Sequence, residues 1–122
     1  MSFTGILLAE SLRRSARLDV AILDVRKIWR EDAGDPSADQ PLTWTFIEFD
    51  VPDDAFEAFA DALTGALEPG PWYCDFRSEK ETVVVFADRI FRYPRGDASG
   101  RAEAEEFARS VGVPDAQIDW PV

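Results

Sequence analysis

Hydrophobic and polar positions change period several times along this chain, and each change predicts an element. Phe3–Leu8 is short and apolar and gives way to Glu10 and Ser11, which predicts a first strand followed by a bend. From Leu18 to Trp29 alternation is clear only over Leu18–Ile22, but Val20, Ile22, Val25 and Ile28 are β-branched, so one long, bulged strand is expected. Glu31–Pro41, EDAGDPSADQP, mixes acid, Gly, Pro and small polar residues, the composition of a flexible loop and the best candidate for disorder. Leu42–Val51 alternates again, with Trp44, Phe46 and Glu48 on one side and Thr43, Thr45, Ile47 and Phe49 on the other. Large apolar groups on both sides predict a strand inside the sheet.

Period two then yields to period 3.6. Pro52 ends the strand, Asp53 is expected as N-cap, and Asp54 and Glu57 fall in a first turn where the helix dipole favours negative charge. Phe56, Phe59, Ala60, Leu63, Ala66 and Leu67 share one face of a helix running to about Leu67. Glu68-Pro69-Gly70-Pro71 stops it. The stretch from Pro71 to Arg95, around which the rest is organised, holds both Tyr, the single Cys and three of the nine Phe, and turn signals divide it into strands Trp72–Arg77, Thr82–Ala87 and Arg89–Tyr93. In the first of these Trp72, Cys74 and Phe76 are expected on one face and Tyr73, Asp75 and Arg77 on the other. Thr82–Phe86 is almost continuously apolar and suits the middle of the sheet, and Ala87-Asp88 makes a tight reversal without the usual Gly.

After a turn at Pro94–Gly100, with Asp97 and Ser99 as competing N-caps, Ala102–Val111 reads as a second amphipathic helix. Ala104, Phe107, Ala108 and Val111 face inward, Arg101 and Glu105 form an i, i+4 pair, and Gly112 closes the helix. Ile118 and Trp120 in the tail are expected to pack back on the body. The order of elements predicts a single α+β domain over residues 1–122, an antiparallel sheet of five or six strands with two helices packed on one face. The other face is aromatic enough to need cover from the tail or a second subunit, so a homodimer is an expectation.

Composition narrows the chemistry. Histidine is absent, which removes the commonest transition-metal ligand and the usual general base, and Cys74 alone excludes an internal disulfide. Zinc sites, Ser–His–Asp triads and Cys–His pairs are excluded, and neither metal nor cofactor is expected. A formal charge of −11 disfavours nucleic acid and anionic membranes as partners. The acidity serves solubility, or suits a basic partner protein, a cationic small molecule or mimicry of a phosphate array. The longest apolar run is five residues, Gly5–Ala9, and the basic residues near the N-terminus follow it with no cleavage site, so no signal peptide or membrane span is read and a cytoplasmic location is expected. Six basic residues stand between Arg13 and Arg30: an anion or acidic-partner site, or an edge strand blunted by charge.

The blocks FTGILLAESL, WYCDFRSEKETVVVFADRIFRYPRGD and ARSVGVPDAQIDWP, with WYxDF, VVF and IFR elements, resemble a family of small uncharacterised bacterial and archaeal proteins. That family's VVFxGxxF pattern would put Gly where Asp88 stands here. The resemblance implies an integral single domain and no catalytic residue.

The candidate ligand-binding residues are Tyr73, Asp75, Arg77, Arg89, Tyr93 and Trp120: arginines to clamp an anion, Asp75 to accept a hydrogen bond or proton, and aromatic walls to stack on. The alternative for the same residues is a cross-strand network on a half-exposed sheet face. Asp75 and Glu48 are the candidate acid–base groups because each interrupts an apolar strand, and Cys74 reads as core. Trp44, Trp72 and Trp120 mark either a cleft or core packing. GDASG at 96–100 precedes a helix but lacks the Lys of a phosphate loop, and Asp97 there argues against an anion. Three functions remain open: a binding or accessory protein that engages a protein partner or small ligand through a sheet face; a metal-independent enzyme using Asp, Tyr and Arg in a pocket between sheet and tail; and an acidic nucleic-acid mimic.

Overall fold

Period-two segments lay down a six-stranded antiparallel sheet in the computed structural model, which describes residues 2–33, 36, 38 and 40–122. The strands are β1 (Ser2–Leu8), β2 (Asp24–Asp32), β3 (Thr43–Pro52), β4 (Cys74–Arg77), β5 (Glu81–Phe86) and β6 (Arg89–Pro94). They lie in the order β2-β3-β1-β4-β5-β6. Two helices complete an α+β fold, α1 (Asp53–Ala66) and α2 (Ala98–Ser110). As expected, β3 and β5 lie inside the sheet.

The helices do not share a face, contrary to the sequence reading. Residues of opposite parity on β5 go to different cores: Val83 and Val85 join Phe49, Phe76 and the α1 residues Phe56, Phe59 and Leu63, whereas Val84 and Phe86 join Tyr93, Trp120 and the α2 residues Ala104 and Ala108. Because successive strand side chains point to opposite faces, α1 and α2 sit on opposite sides of the sheet. The continuous burial of Thr82–Phe86 is the physical reason, since a strand apolar at every position needs cover on both faces. Each fully buried Phe or Leu under α1 contributes roughly 1.5–3 kcal/mol.

Segment boundaries differ in several places. The expected strand from Leu18 begins only at Asp24: the Asp19 side chain accepts from the Ala21 amide (2.9 Å) and the Leu23 amide donates to Val20 O (3.0 Å), turns that outweigh β-branching, while Leu18 and Leu23 pack on the α1 core. The expected bulge is present, as a register shift between Val25 and Lys27. β2 then runs through Asp32, two residues into the expected loop; Gly34, Asp35, Ser37 and Asp39 of that loop lie outside the described residues. Asp53 is the first residue of α1 rather than its cap, which is Pro52.

The second helix starts earlier than expected because Asp97 wins as cap, its carboxylate accepting from the Ser99 and Gly100 amides (3.1 and 3.2 Å). These bonds occupy the helix N-terminus that an anion would need, as Asp97 in the sequence implies. Asp88 takes a left-handed conformation (φ 60°), which Asp tolerates better than most residues, and its amide donates to Thr64 O (3.0 Å). So the β5–β6 reversal closes without Gly.

Candidate functional site

Only part of the α2-side face is covered. α2 and the tail lie over β5 and β6, while the cavity floor is built from β1 and β3, where alternation turns Ile6, Leu8, Trp44 and Phe46 to that side. A cavity of about 520 Å³ opens there, walled on one side by Pro71–Tyr73 and on the other by Ala116, Gln117 and Asp119 of the tail. Asp75 and Arg77 of β4 close its head and Glu31 of β2 stands at its rim. Ile6 is 36% exposed, an apolar floor left open to solvent.

The walls are largely aromatic. Trp44 lies 6.2 Å from Trp72 and 6.3 Å from Phe46, and Phe46 stacks on Trp29 at 5.0 Å. Trp72 is expected on the same face as Cys74 and Phe76; it packs instead on the cavity side, against Trp44. β4 begins only at Cys74, and Trp72 belongs to an irregular turn in which its amide donates to Gly70 O (2.9 Å), so strand alternation does not reach it.

Polar bonds fix the tail as a wall. The Tyr73 hydroxyl donates to Gln117 O and lies 3.1 Å from Asp119 Oδ1. Gln117 Nε2 donates to Gln40 Oε1 (2.9 Å), and Gln40 Nε2 to Pro71 O (2.9 Å). Arg101 Nε donates to Trp120 O (3.1 Å), and the Trp120 ring stands edge-on to Tyr73 at 4.9 Å.

Electrostatics separate the groups by role. Asp75, whose side chain is only 14% exposed, has its pKa raised chiefly by burial; Arg77 at 3.2 Å opposes the rise and Asp119 adds to it. The Tyr73 phenol is pushed far above its ordinary value, first by burial and then by Asp119 and Asp75, so it stays protonated and donates. Cys74 is fully buried, its pKa also raised by burial, and its Sγ donates to Ile6 O (3.3 Å); it is core, as read. The site therefore offers a carboxylate of low solvation beside aromatic walls. Such a group accepts a hydrogen bond or proton, or pairs with a cation, more strongly than it would in water.

Of the six sequence candidates, Tyr73, Asp75 and Arg77 meet at the cavity. Trp120 stands behind Tyr73 in the α2 core. Tyr93 is buried there too, its hydroxyl donating to Pro121 O and its pKa raised by burial. Arg89 lies over Phe91 and Phe107 (4.8 and 5.1 Å), away from the cavity. Glu48 sits in the ladder between Ile6 and Lys27, outside the cavity lining. The basic residues before β3 are dispersed: Arg13 donates to Leu67 O, Arg26 pairs with Asp50 and Arg30 donates to Thr45 Oγ1.

Glu31, Gln117 and Asp119 were missed. Each reaches the cavity only through the return of the tail or the pairing of β2, and no local spacing signals that. Among the described residues no group of three Cys, Asp or Glu side chains is placed to hold a metal ion, and no helix is long and apolar enough to cross a membrane. Comparison with family models, curated proteins and solved structures gives no match to the chain.

Proposed function

We propose that this protein is a ligand-binding module whose cavity on the open half of the sheet takes a small molecule with a flat apolar body and a cationic nitrogen. The observation that carries this reading is Asp75, a poorly solvated carboxylate at the head of an aromatic-walled cavity of about 520 Å³, a size that suits a small organic ligand. Asp119 and Glu31 add negative charge against the single Arg77, and Trp44, Phe46 and Trp72 offer faces for stacking and cation–π contact. A cation set beside Asp75 lowers the cost of its ionisation, so charge recognition and carboxylate burial support each other.

Native mass spectrometry of gently purified protein, followed by calorimetric titration with aromatic amines and their neutral isosteres, tests this. Retention or binding of the amines, weakened about tenfold or more by Asp75→Asn with little change for the isosteres, is the expected result. Equal affinity for amine and isostere, or no binding of either, would overturn it. A second reading rests on the raised pKa of the same carboxylate, which suits proton transfer; turnover of a bound amine that disappears in Asp75→Asn would favour that role.

A further inference from the structure

The free edge of β2 is unlike the other edge of the sheet. β6 has six residues and ends in Pro94, which cannot donate to a further strand. β2 has nine residues, eight of them exposed, and among the described residues no further strand pairs with its outer side. Charge on an edge strand prevents pairing only when the charges of the incoming strand clash with it. In β2 the basic residues Arg26 and Lys27 precede the acidic residues Glu31 and Asp32, an order that is self-complementary when the strand is reversed against itself.

We propose that two copies of this chain pair β2 to β2, antiparallel, about a two-fold axis at Trp29, joining their sheets into one. In this register Lys27 of each copy stands opposite Glu31 of the other. Both residues lie on the cavity side, since Lys27 pairs with Glu48 and Glu31 with Trp44 in the β2–β3 ladder. On the α1 side Ile28, 63% exposed, stands opposite Arg30, whose aliphatic stem covers it. The two Trp29 rings meet at the axis, each already stacked on its own Phe46.

Neighbouring registers are worse. Centring on Arg30 sets the two Arg30 side chains against each other. Centring on Ile28 leaves Glu31 facing the bulge between Val25 and Lys27, where strand parity changes and Arg26 is held by Asp50 at 2.7 Å. Because Glu31 also lines the cavity, the second copy's Lys27 becomes part of that cavity's rim. Association thus adjusts the charge at the mouth of the site without touching Asp75.

Sedimentation velocity over a concentration series, with light scattering for mass, reads the assembly. The expected species has twice the 13.7 kDa chain mass. Lys27→Glu and Glu31→Lys each turn two attractive pairs into repulsive ones and weaken the dimer by about tenfold or more, while the double reversal restores it. All four side chains concerned are exposed, so circular dichroism should show unchanged folding. A monomer at every concentration, a dimer indifferent to the single reversals, or a double reversal that fails to rescue would overturn the proposal.

Discussion

The half of the sheet face under α2 and the half beside the tail draw on the same residue types, yet they spend them differently. Under α2, aromatic and polar groups are consumed by the fold: Tyr93 donates to Pro121 O, Arg101 holds Trp120 O and pairs with Glu105, and Phe86 lies among Phe91, Phe107 and Trp120. In the open half, Trp44, Phe46 and Trp72 are walls, and the Asp75 carboxylate pairs with Arg77 at 3.2 Å. Candidate residues are therefore sorted by what covers them. Tyr73 belongs to both halves: its ring packs on Trp120 while its hydroxyl pins the wall of the cavity.

Breaking the covered half should therefore also open the other. Trp120→Ala removes the largest fully buried side chain and is expected to cost about 3–5 kcal/mol. It also takes away the support of Tyr73, so urea unfolding should show the stability loss and ligand titration a parallel loss of binding. A truncation that destabilises but leaves the cavity competent would show the halves to be independent.

Gly100→Ala is the next largest effect, and its sign is the informative part. In an exposed helix this change stabilises, because Gly has the greater freedom to lose. Here the added Cβ would lie 2.4 Å from Tyr93 Cβ, a rigid position, so α2 must lift from β6. A loss of about 1–3 kcal/mol in chemical denaturation is expected. A gain would mean that α2 is not seated as closely as the Gly100–Tyr93 approach requires.

How far these halves could be read from the sequence depended on how local the determinants are. The α1 face, the meander and the Arg101–Glu105 pair follow from spacing along one segment, and all are present. The Thr82–Phe86 run carries the signal for helices on both faces, because a strand apolar at every position marks cover on two sides as well as a place inside the sheet. Trp72 was misplaced because alternation was extended two residues past the start of the strand. Asp75 and Arg77 are legible because they alternate on β4 and Tyr73 because it directly precedes that strand; Gln117 and Asp119 lie 44 and 46 residues beyond Tyr73, and only the folded return of the tail, fixed by Tyr73 and Gln40, brings them near.

The smallest effect tests the open half alone. Burial raises the Asp75 pKa, so the folded protein binds a proton at this site more readily than the unfolded chain does. Below the ordinary carboxylate range both states are protonated and the site costs nothing. As pH rises through that range the unfolded chain loses its proton first, and stability falls until the folded Asp75 has also ionised. Asp75→Asn removes this cost while keeping the shape and one acceptor for Arg77. The variant should therefore match the parent in acid, exceed it slightly at neutral pH, and bind the amine ligand less well. Thermal unfolding across pH, run beside the titrations, separates the outcomes. A gain in stability together with a loss of binding is the signature of a carboxylate held in place for a ligand. A loss of stability at neutral pH would instead make the Asp75–Arg77 pair a support of the sheet, and the two halves would differ only in exposure.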